Sequence, residues 1–446
     1  MVSPDGEACQ QLSCAAGPQK DRQGTGDSSE KSIYPRCMEG HIGKSVAAER
    51  KLAGLSQVGL ANRAGYSLSM VKAVEQGREA ASAGFVAAVA KAMGIDPDRL
   101  QGTPYLGTLA EDGPLTGLEE LRSLFAEGSH IRPAQPPNRQ ALAAGLAEVE
   151  KAMRTDRTRH ALSLLPSLIR QLHGAIELSG GELDRAEVYS LLCSAYVAAE
   201  GACVRLGYAT LTALVLDRLD QAAQRTDNPA FTVRALMKRS RLLMSYDSTD
   251  AALGLVGRGL DLVPGDTESE RVLRGYSHLR GAIVAARGRR PALARAHIEQ
   301  ARVIAAPMRH ESHLYTTDFG PGNVAVHACA IELEAGDPGK AAHDGAALRL
   351  PPDMAAPRAG HHWQDNARAW LMAGKPDRAL AALNKARATA PQQTRLHPAV
   401  RETVHGIAAV QRRQSESLVG FGVVRRIALI AEPFSEPVPF TAEGTE

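Results

Sequence analysis

Apolar residues recur every three or four positions in two long parts of the chain, residues 42–100 and 140–413. That spacing places apolar side chains on one face of a helix, whereas a strand would alternate them at every second position. Neither part contains a convincing alternating stretch. The pattern therefore predicts an all-α protein. Gly and Pro interrupt it at Gly180-Gly181, Asn228-Pro229, Pro264-Gly265, Gly336 to Pro338, Pro351-Pro352 and Gly374 to Pro376.

The same pattern divides the chain into parts of different character. The first is rich in Gly, Ser and charged residues without a hydrophobic period, which predicts disorder; Met38, just before the first periodic segment, is an alternative start of translation. We predict a disordered leader at 1–40, a helical domain at 41–103, a linker with one short helix ("GLEELRSLFAEG") at 104–139, a larger helical domain at 140–413, and a tail at 414–446 with the apolar stretch "VGFGVVRRIALIAEPF".

The first helical domain contains a tight break between two short helices. Ser56 caps one of them, Gly65 ends it because Gly tolerates a left-handed turn, and Ser67 caps the next. With so little connecting chain the two helices must cross steeply, as in a helix-turn-helix. The predicted inner positions are Ile42, Val46 and residues 50–52 in the preceding helix, then Val58, Leu60, Ala61 and Ala64, then Val71 and Val74.

Composition narrows the classes of function. Apolar residues make up 44% and aromatic residues 4% of the chain, so small side chains must fill the cores, which favours closely packed helices. The net charge of +3 does not require a nucleic-acid partner by itself, and such a partner must be argued from a local patch. No stretch approaches the about 18 apolar residues of a membrane span. We therefore expect a cytoplasmic, nucleoid-associated protein without membrane contact.

The stretch "LSQVGLANRAGYSLSMVKAVEQG" resembles the helix-turn-helix of Xre/Cro-type phage repressors. The resemblance covers residues 42–100, and the "RNPS" loop common in that family reads Glu79-Ala80-Ala81-Ser82 here. It implies a recognition helix at 67–76 that enters the major groove of double-stranded DNA. It implies base contacts by Leu68, Ser69, Met70, Lys72 and Ala73, and phosphate contacts by Gln57, Ser67, Lys51, Arg63 and Arg78.

Arg50 and Glu75 receive a different interpretation from the same resemblance. Both sit beside core positions, and in the family these positions form an ion pair that joins the first helix to the recognition helix. We therefore predict a structural ion pair here. Removing one partner should harm folding more than removing both.

The larger domain resembles a tetratricopeptide (TPR)-like α-solenoid, the kind found behind Xre-type modules in large actinobacterial regulators. In "HHWQDNARAWLMAGKPDRALAALNKARATAP", small residues fall where two antiparallel helices approach closely. Weaker copies precede it, with repeat anchors at Ala252, Ala294, Ala341 and Ala379. A solenoid leaves a concave groove, for which Tyr315, Phe319 and Asn323 are the predicted contacts; a structural kink is the alternative for these three.

Candidate chemistry changes this interpretation little. His310 and His313 have a spacing that can ligate a metal on a helix, but no metalloprotease signature surrounds them. The G-x-S-x-G motif, the phosphate loop and the dinucleotide fingerprint do not occur. We therefore expect no enzyme, no cofactor and no metal site.

The function predicted from the sequence is a sequence-specific DNA-binding transcriptional regulator. Its helical-repeat domain would form a homodimer on a pseudo-palindromic operator and bind a peptide, a protein or a small-molecule signal in its groove. The alternative is a TPR-type protein-interaction scaffold with little or no DNA binding. Loss of DNA binding with rising salt would separate the two.

Overall fold

Two sets of helices make up the part of the chain that the structure, a computed structural model, describes: residues 41–102 and 115–419. We call the first the N-terminal module (residues 41–102) and the second the C-terminal helical region (residues 115–419). In these ranges the one β pairing is an isolated bridge between Ser312 and Phe319, so the predicted all-α fold is confirmed. The predicted leader and nearly all of the apolar tail stretch lie outside the described residues.

The helix boundaries follow local stop and start signals. The module contains α1 (Ile42–Leu52), α2 (Gln57–Ala64), α3 (Leu68–Glu75), α4 (Ala83–Met93) and α5 (Asp98–Gln101). The C-terminal helical region contains α6 (Leu118–Ala126), α7 (Arg139–Arg154), α8 (Thr158–Glu177), α9 (Glu182–Leu206), α10 (Ala209–Ala223), α11 (Pro229–Ser245), α12 (Thr249–Asp261), α13 (Glu268–Arg287), α14 (Pro291–Ala305), α15 (Pro321–Glu334), α16 (Pro338–Ala347), α17 (Ala356–Met372), α18 (Pro376–Thr389), α19 (Pro391–Leu396) and α20 (Pro398–Val419).

Helices α7 to α18 form six consecutive helical hairpins, in which each odd-numbered helix packs against the next even-numbered one. The turn of each hairpin contains one residue with a left-handed backbone, and the second helix begins two residues later. Proline occupies the first position of α14, α16 and α18, where its missing N–H costs nothing. The six left-handed residues are Asp156, Gly207, Asp247, Arg289, Gly336 and Gly374.

A small buried residue follows each of these turns at a fixed distance. Five positions after the left-handed residue, the second helix presents Ala or Thr to its partner helix, with almost no exposed surface. Small side chains let the two helix axes approach closely. The series runs Ala161, Thr212, Ala252, Ala294, Ala341 and Ala379. The last four are the predicted repeat anchors, and the first two belong to hairpins that the sequence pattern did not reveal.

The predicted linker is partly a structural element of the C-terminal helical region. Its short helix, α6, buries Leu121, Leu124 and Phe125 in the same core as α7 and α8. Phe125 lies 5.7 Å from the ring of Tyr196 on α9. The C-terminal helical region therefore begins near residue 118, before the predicted boundary at 140. Among the described helices, none is long and apolar enough to cross a membrane.

Candidate DNA-binding interface

Three local signals build the helix–turn–helix of α2 and α3. Ser56 Oγ accepts the Gly59 N–H at 3.0 Å and starts α2, as Asn, Asp and Ser do at helix N-caps. Gly65 ends α2 with φ of 67°, a conformation that glycine adopts without a steric penalty. Ser67 Oγ then accepts the Met70 N–H at 3.1 Å and starts α3. Three residues thus connect the two helices, which places α3 across α2 at the predicted position.

The module core confirms most of the predicted inner positions. Leu60, Val71 and Val74 are buried in the module core, but Leu52 is 78% exposed and Val58 is 51% exposed, so these two predictions are wrong. Leu52 follows the buried Arg50 by two residues, and Val58 precedes the buried Leu60 by two. Two residues turn a helix by about 200°, to the opposite face.

Arg50 and Glu75 form a two-point ion pair that joins α1 to α3. Arg50 Nε lies 2.6 Å from Glu75 Oε1, and Nη2 lies 3.1 Å from Oε2. A third donor, Nη1, bonds the Leu55 carbonyl at 2.7 Å. Both charged groups are nearly buried, with side-chain exposures of 10% and 5%. Such a pair fixes the angle of α3 in the module because its planar geometry allows little rotation.

Gln57 also belongs to this network. Its Nε2 donates to Glu75 Oε2 at 2.7 Å. The amide group carries two N–H donors, so this bond leaves one N–H available. Gln57 is thus a structural partner of Glu75, and its phosphate contact, through the second N–H, stays a prediction.

The outer face of α3 exposes two polar side chains of the predicted base-contacting set. Ser69 and Lys72 remain exposed when all described residues are present. Leu68 and Met70 are half-buried and pack against the module core. Ala73 is half-buried. Hydrogen bonding to base edges would therefore fall to Ser69 and Lys72, because Leu68, Met70 and Ala73 offer apolar contact alone.

The other predicted phosphate contacts lie on the surface of the module. Lys51, Arg63, Ser67 and Arg78 are all exposed. Arg78 Nε is held by Gln76 Oε1 at 2.8 Å. The positive end of the α2 dipole adds to these charges, so this side of the module suits the phosphates of a nucleic acid.

The C-terminal helical region holds the module by contacts that leave the outer face of α3 open. Arg289 donates to the carbonyl of Gly65 and lies 5.2 Å over the ring of Tyr66. Lys91 on α4 bonds Asp247, Nζ to Oδ2, at 3.3 Å. These contacts involve the back and the turn of the module. They were not predicted, because nothing in the sequence around Arg289 or Asp247 indicates a contact with the module.

A third contact joins the start of α1 to α20. Glu402 Oε1 accepts the Ile42 N–H at 2.7 Å. Burial raises the pKa of the Glu402 carboxyl to about 7, although the Ile42 N–H and the Arg401 charge oppose that rise. The contact therefore includes a carboxyl group that is partly protonated near neutral pH.

The predicted groove contacts have structural roles. Phe319 is completely buried in the core of α13 and α14, so it cannot touch a ligand in a groove. Asn323 is also buried; its Nδ2 donates to the Asp318 carbonyl, and its Oδ1 accepts from Arg358 Nε at 2.7 Å. Tyr315 has φ of 53° and its hydroxyl bonds Asn228 at 3.0 Å. These residues form a structural kink, the alternative that the sequence left open.

Comparison with known proteins supports the module alone. Residues 41–101 match the model of a protein family described as a helix-turn-helix domain. No curated protein and no solved structure matches the chain. A helix-turn-helix domain suggests DNA binding. Among the described residues, no group of three or more His, Cys, Asp or Glu side chains could hold a metal ion.

Proposed function

We propose that this chain is a sequence-specific DNA-binding transcriptional regulator of the Xre type, without enzymatic activity. The observation that carries the proposal is the exposure of Ser69 and Lys72 on α3 while the back of the module is held by the C-terminal helical region. A module used only for docking would bury this face in the contact. In residues 41–102 and 115–419, the face that a helix-turn-helix presents to DNA remains open.

Recognition would combine few base contacts with more phosphate contacts. Lys72 would donate to guanine O6 and N7 and Ser69 to either base edge, with Leu68, Met70 and Ala73 against thymine methyl groups. Lys51, Arg63 and Arg78 would bond phosphates on either side of the groove. One module with two hydrogen-bonding base readers discriminates weakly between sequences.

Selectivity would therefore come from a second copy. We propose a homodimer held through the C-terminal helical region, which binds a pseudo-palindromic operator whose half-sites lie ~34–36 Å apart. The six helical hairpins, interpreted as a TPR-like array, would supply the dimer contact and a site for a signal. Light scattering on the full chain distinguishes a monomer from this dimer.

The decisive experiment measures binding of the full chain to DNA fragments recovered by genome-wide footprinting, at several salt concentrations. A regulator should lose affinity steeply as salt rises, because phosphate contacts release counterions. Lys72→Ala should weaken binding, and Lys151→Ala, which removes an exposed lysine on α7, is the matched control. Salt-independent binding, or equal binding by both variants and the wild type, would favour the interaction scaffold.

A further inference from the structure

A cavity of about 540 Å³ lies between the N-terminal module and the C-terminal helical region. Its module side is formed by α4 and the start of α5, through Val86, Ala87 and Pro97. Its other walls come from α9, α10, α11, α13, α15 and α17, with α19 and the start of α20. Small-molecule sites in proteins enclose about 300–1,000 Å³, so the volume suits a small ligand.

Two guanidinium groups on the wall lack a carboxylate partner. Arg280 on α13 lies beside the Tyr276 hydroxyl, and its Nε has no hydrogen-bond partner. Arg358 on α17 donates to two neutral groups, Asn323 Oδ1 at 2.7 Å and His327 Nδ1 at 3.0 Å. Within the described ranges, no carboxylate lies within ion-pair distance of either group. The opposite charges that favour these cations, Asp365 for Arg358 and Glu200 for Arg280, lie beyond ion-pair distance. A buried charge without a contacting counter-charge is unfavourable, so these two positions require an explanation.

The other arginines on the wall do have partners. Arg205 donates to the Met153 carbonyl and to Thr158 Oγ1, both at 3.0 Å. Arg241 is paired with Glu200. Arg287 Nε lies 3.9 Å from Glu334 Oε1. In the described ranges Arg205 therefore resembles Arg280 and Arg358 in having no carboxylate within ion-pair distance, and of these three arginines only Arg280 has a buried nitrogen without a hydrogen-bond partner.

The carboxylates that face the cavity are already engaged. Asp318 is bound by Arg154, and Glu334 lies 3.0 Å from Arg368 Nη1. Asp365 Oδ2 lies 3.6 Å from His361 Nε2. On the module side, Asp96 Oδ1 accepts the Asp98 N–H at 2.9 Å. None of these groups neutralises Arg280 or Arg358 by direct contact.

The surrounding charge makes the deep wall positive. Arg234, Lys238 and Arg241 occupy one face of α11, and Glu200 on α9 is the carboxylate that pairs with the last two. Arg234 stacks 4.7 Å over the ring of Tyr276, and its Nε and Nη1 have no partners. Burial alone would raise the pKa of Tyr276, but the nearby charges of Arg234, Arg280 and Lys238 lower it to about 7. The field at this wall therefore favours negative charge.

We infer that the cavity binds a small anionic ligand whose phosphate or carboxylate group is held by Arg280 and Arg358. A guanidinium group presents several donors in one plane, which matches the oxygens of both anions. Burial lowers the pKa of the His327 ring well below its usual value, so the ring is neutral. It therefore neither repels the guanidinium groups nor supplies the negative charge that a bound anion would supply. The cavity would be the signal site of the proposed regulator. Anion binding itself does not depend on that function, and only its effect on DNA binding rests on the proposed function.

The test uses the full chain and thermal unfolding in inorganic pyrophosphate or in citrate, each balanced with sodium chloride to the same ionic strength. A saturable rise in melting temperature is expected with at least one of the two probes; pyrophosphate represents a phosphate ligand and citrate a carboxylate ligand. The DNA-binding face could also attract anions, so variants must locate the site. Arg280→Gln and Arg358→Gln should weaken the effect by about tenfold in ligand concentration. Arg309→Gln, which removes an exposed arginine, should leave it unchanged.

A second readout separates binding from folding. In chloride alone at pH 6, where the Tyr276 hydroxyl with its pKa of about 7 is mostly protonated, Arg280→Gln should melt at or above the wild-type temperature, because the substitution removes a buried charge that no carboxylate contacts. Failure of both probes to stabilise the wild type, or equal stabilisation of the wild type and both cavity variants, would overturn the inference. DNA binding plays no part in this measurement, so a failed DNA-binding experiment would leave its result intact.

Discussion

The ion pair between Arg50 and Glu75 gives a quantitative test of how α3, the predicted recognition helix, is held. Arg50→Met removes the guanidinium from α1 and leaves the Glu75 carboxylate with the Gln57 amide, at 2.7 Å, as its remaining described partner. Glu75→Leu leaves the guanidinium with the Leu55 carbonyl alone, at 2.7 Å. The double variant removes both charges and keeps apolar volume between the helices. The three variants form a double-mutant cycle.

The expected magnitudes follow from the burial of the pair. With side-chain exposures of 10% and 5%, a remaining single charge stays in a site that water barely reaches. Breaking a buried pair by removing one partner costs about 3–5 kcal/mol, whereas replacing both by apolar groups is often close to neutral. The double variant also loses the bond to the Leu55 carbonyl, which adds about 1 kcal/mol. Each single variant should thus be less stable than the double variant.

The measurement must report on the module by itself. Trp363 and Trp370, the two tryptophans of the chain, both lie on α17, so their fluorescence follows the C-terminal helical region. Amide hydrogen exchange in α1 and α3 reports the free energy of opening the module directly. If the two single losses summed to the loss in the double variant, the pair would make no coupled contribution and the reasoning would be refuted.

A second ion pair in the same module serves as the control. Arg99 Nη2 lies 2.8 Å from Glu49 Oε1, but the arginine side chain is 57% exposed. Exposed pairs contribute about 0–1 kcal/mol. Arg99→Met should therefore change the exchange of α1 and α3 far less than Arg50→Met.

Three further predictions concern the contacts around the module. Arg289→Gly keeps the left-handed backbone of the α13–α14 turn and removes the guanidinium from the α2–α3 turn. Hydrogen exchange should then rise in the α2–α3 turn, while the α13–α14 hairpin keeps or gains stability. Unchanged exchange in the α2–α3 turn would contradict the contact. The pKa of Glu402 is raised to about 7, so its contribution is complete below its unfolded value near 4.5 and is lost as pH rises through 7. Glu402→Gln keeps a neutral acceptor that does not ionise. Between pH 5 and 8 the free energy of unfolding of this variant should therefore rise relative to that of the wild type by about 2–3 kcal/mol. Parallel pH profiles of the two proteins would exclude this. Gly43→Ala would place a methyl group against the Val74 carbonyl and should destabilise the module by about 1–3 kcal/mol in denaturant unfolding. Gly254→Ala, where a methyl group meets open space, should be neutral or stabilising.

The module could be predicted closely because its determinants are local. The predicted recognition helix, residues 67–76, differs from α3 (Leu68–Glu75) by its caps alone. Ser56, Gly65 and Ser67 each act on backbone groups within three or four residues. Signals of this range are visible in one sequence. The two inner positions that failed, Leu52 and Val58, are apolar residues for which the helical phase, and not the residue type, decides burial.

The first two hairpins were missed for a different reason. Helices α8 and α9 are 20 and 25 residues long, and the Gly180-Gly181 break between them falls between hairpins instead of within one. The turns themselves contain Asp156 and Gly207, and Thr212 replaces the alanine of the later repeats. A search for a left-handed turn residue followed five positions later by a small residue would have found both hairpins. The signal was present, but it was weaker than the Ala anchors that drew attention to the last four.

The cavity could not be predicted, because its character depends on what is missing around two side chains. Arg280 and Arg358 are 78 residues apart in the sequence, and each resembles an ordinary exposed cation of an amphipathic helix. Val86 and Ala87 are buried apolar residues of a helix, a pattern that indicates a core position and does not reveal that they also line the cavity. Arg50 shows the contrast: its position beside core residues and its resemblance to a family pair both indicated a partner. For Arg280 and Arg358 the informative property is that no carboxylate of the described residues contacts them, and that property exists only after the module and the helices around the cavity have come together.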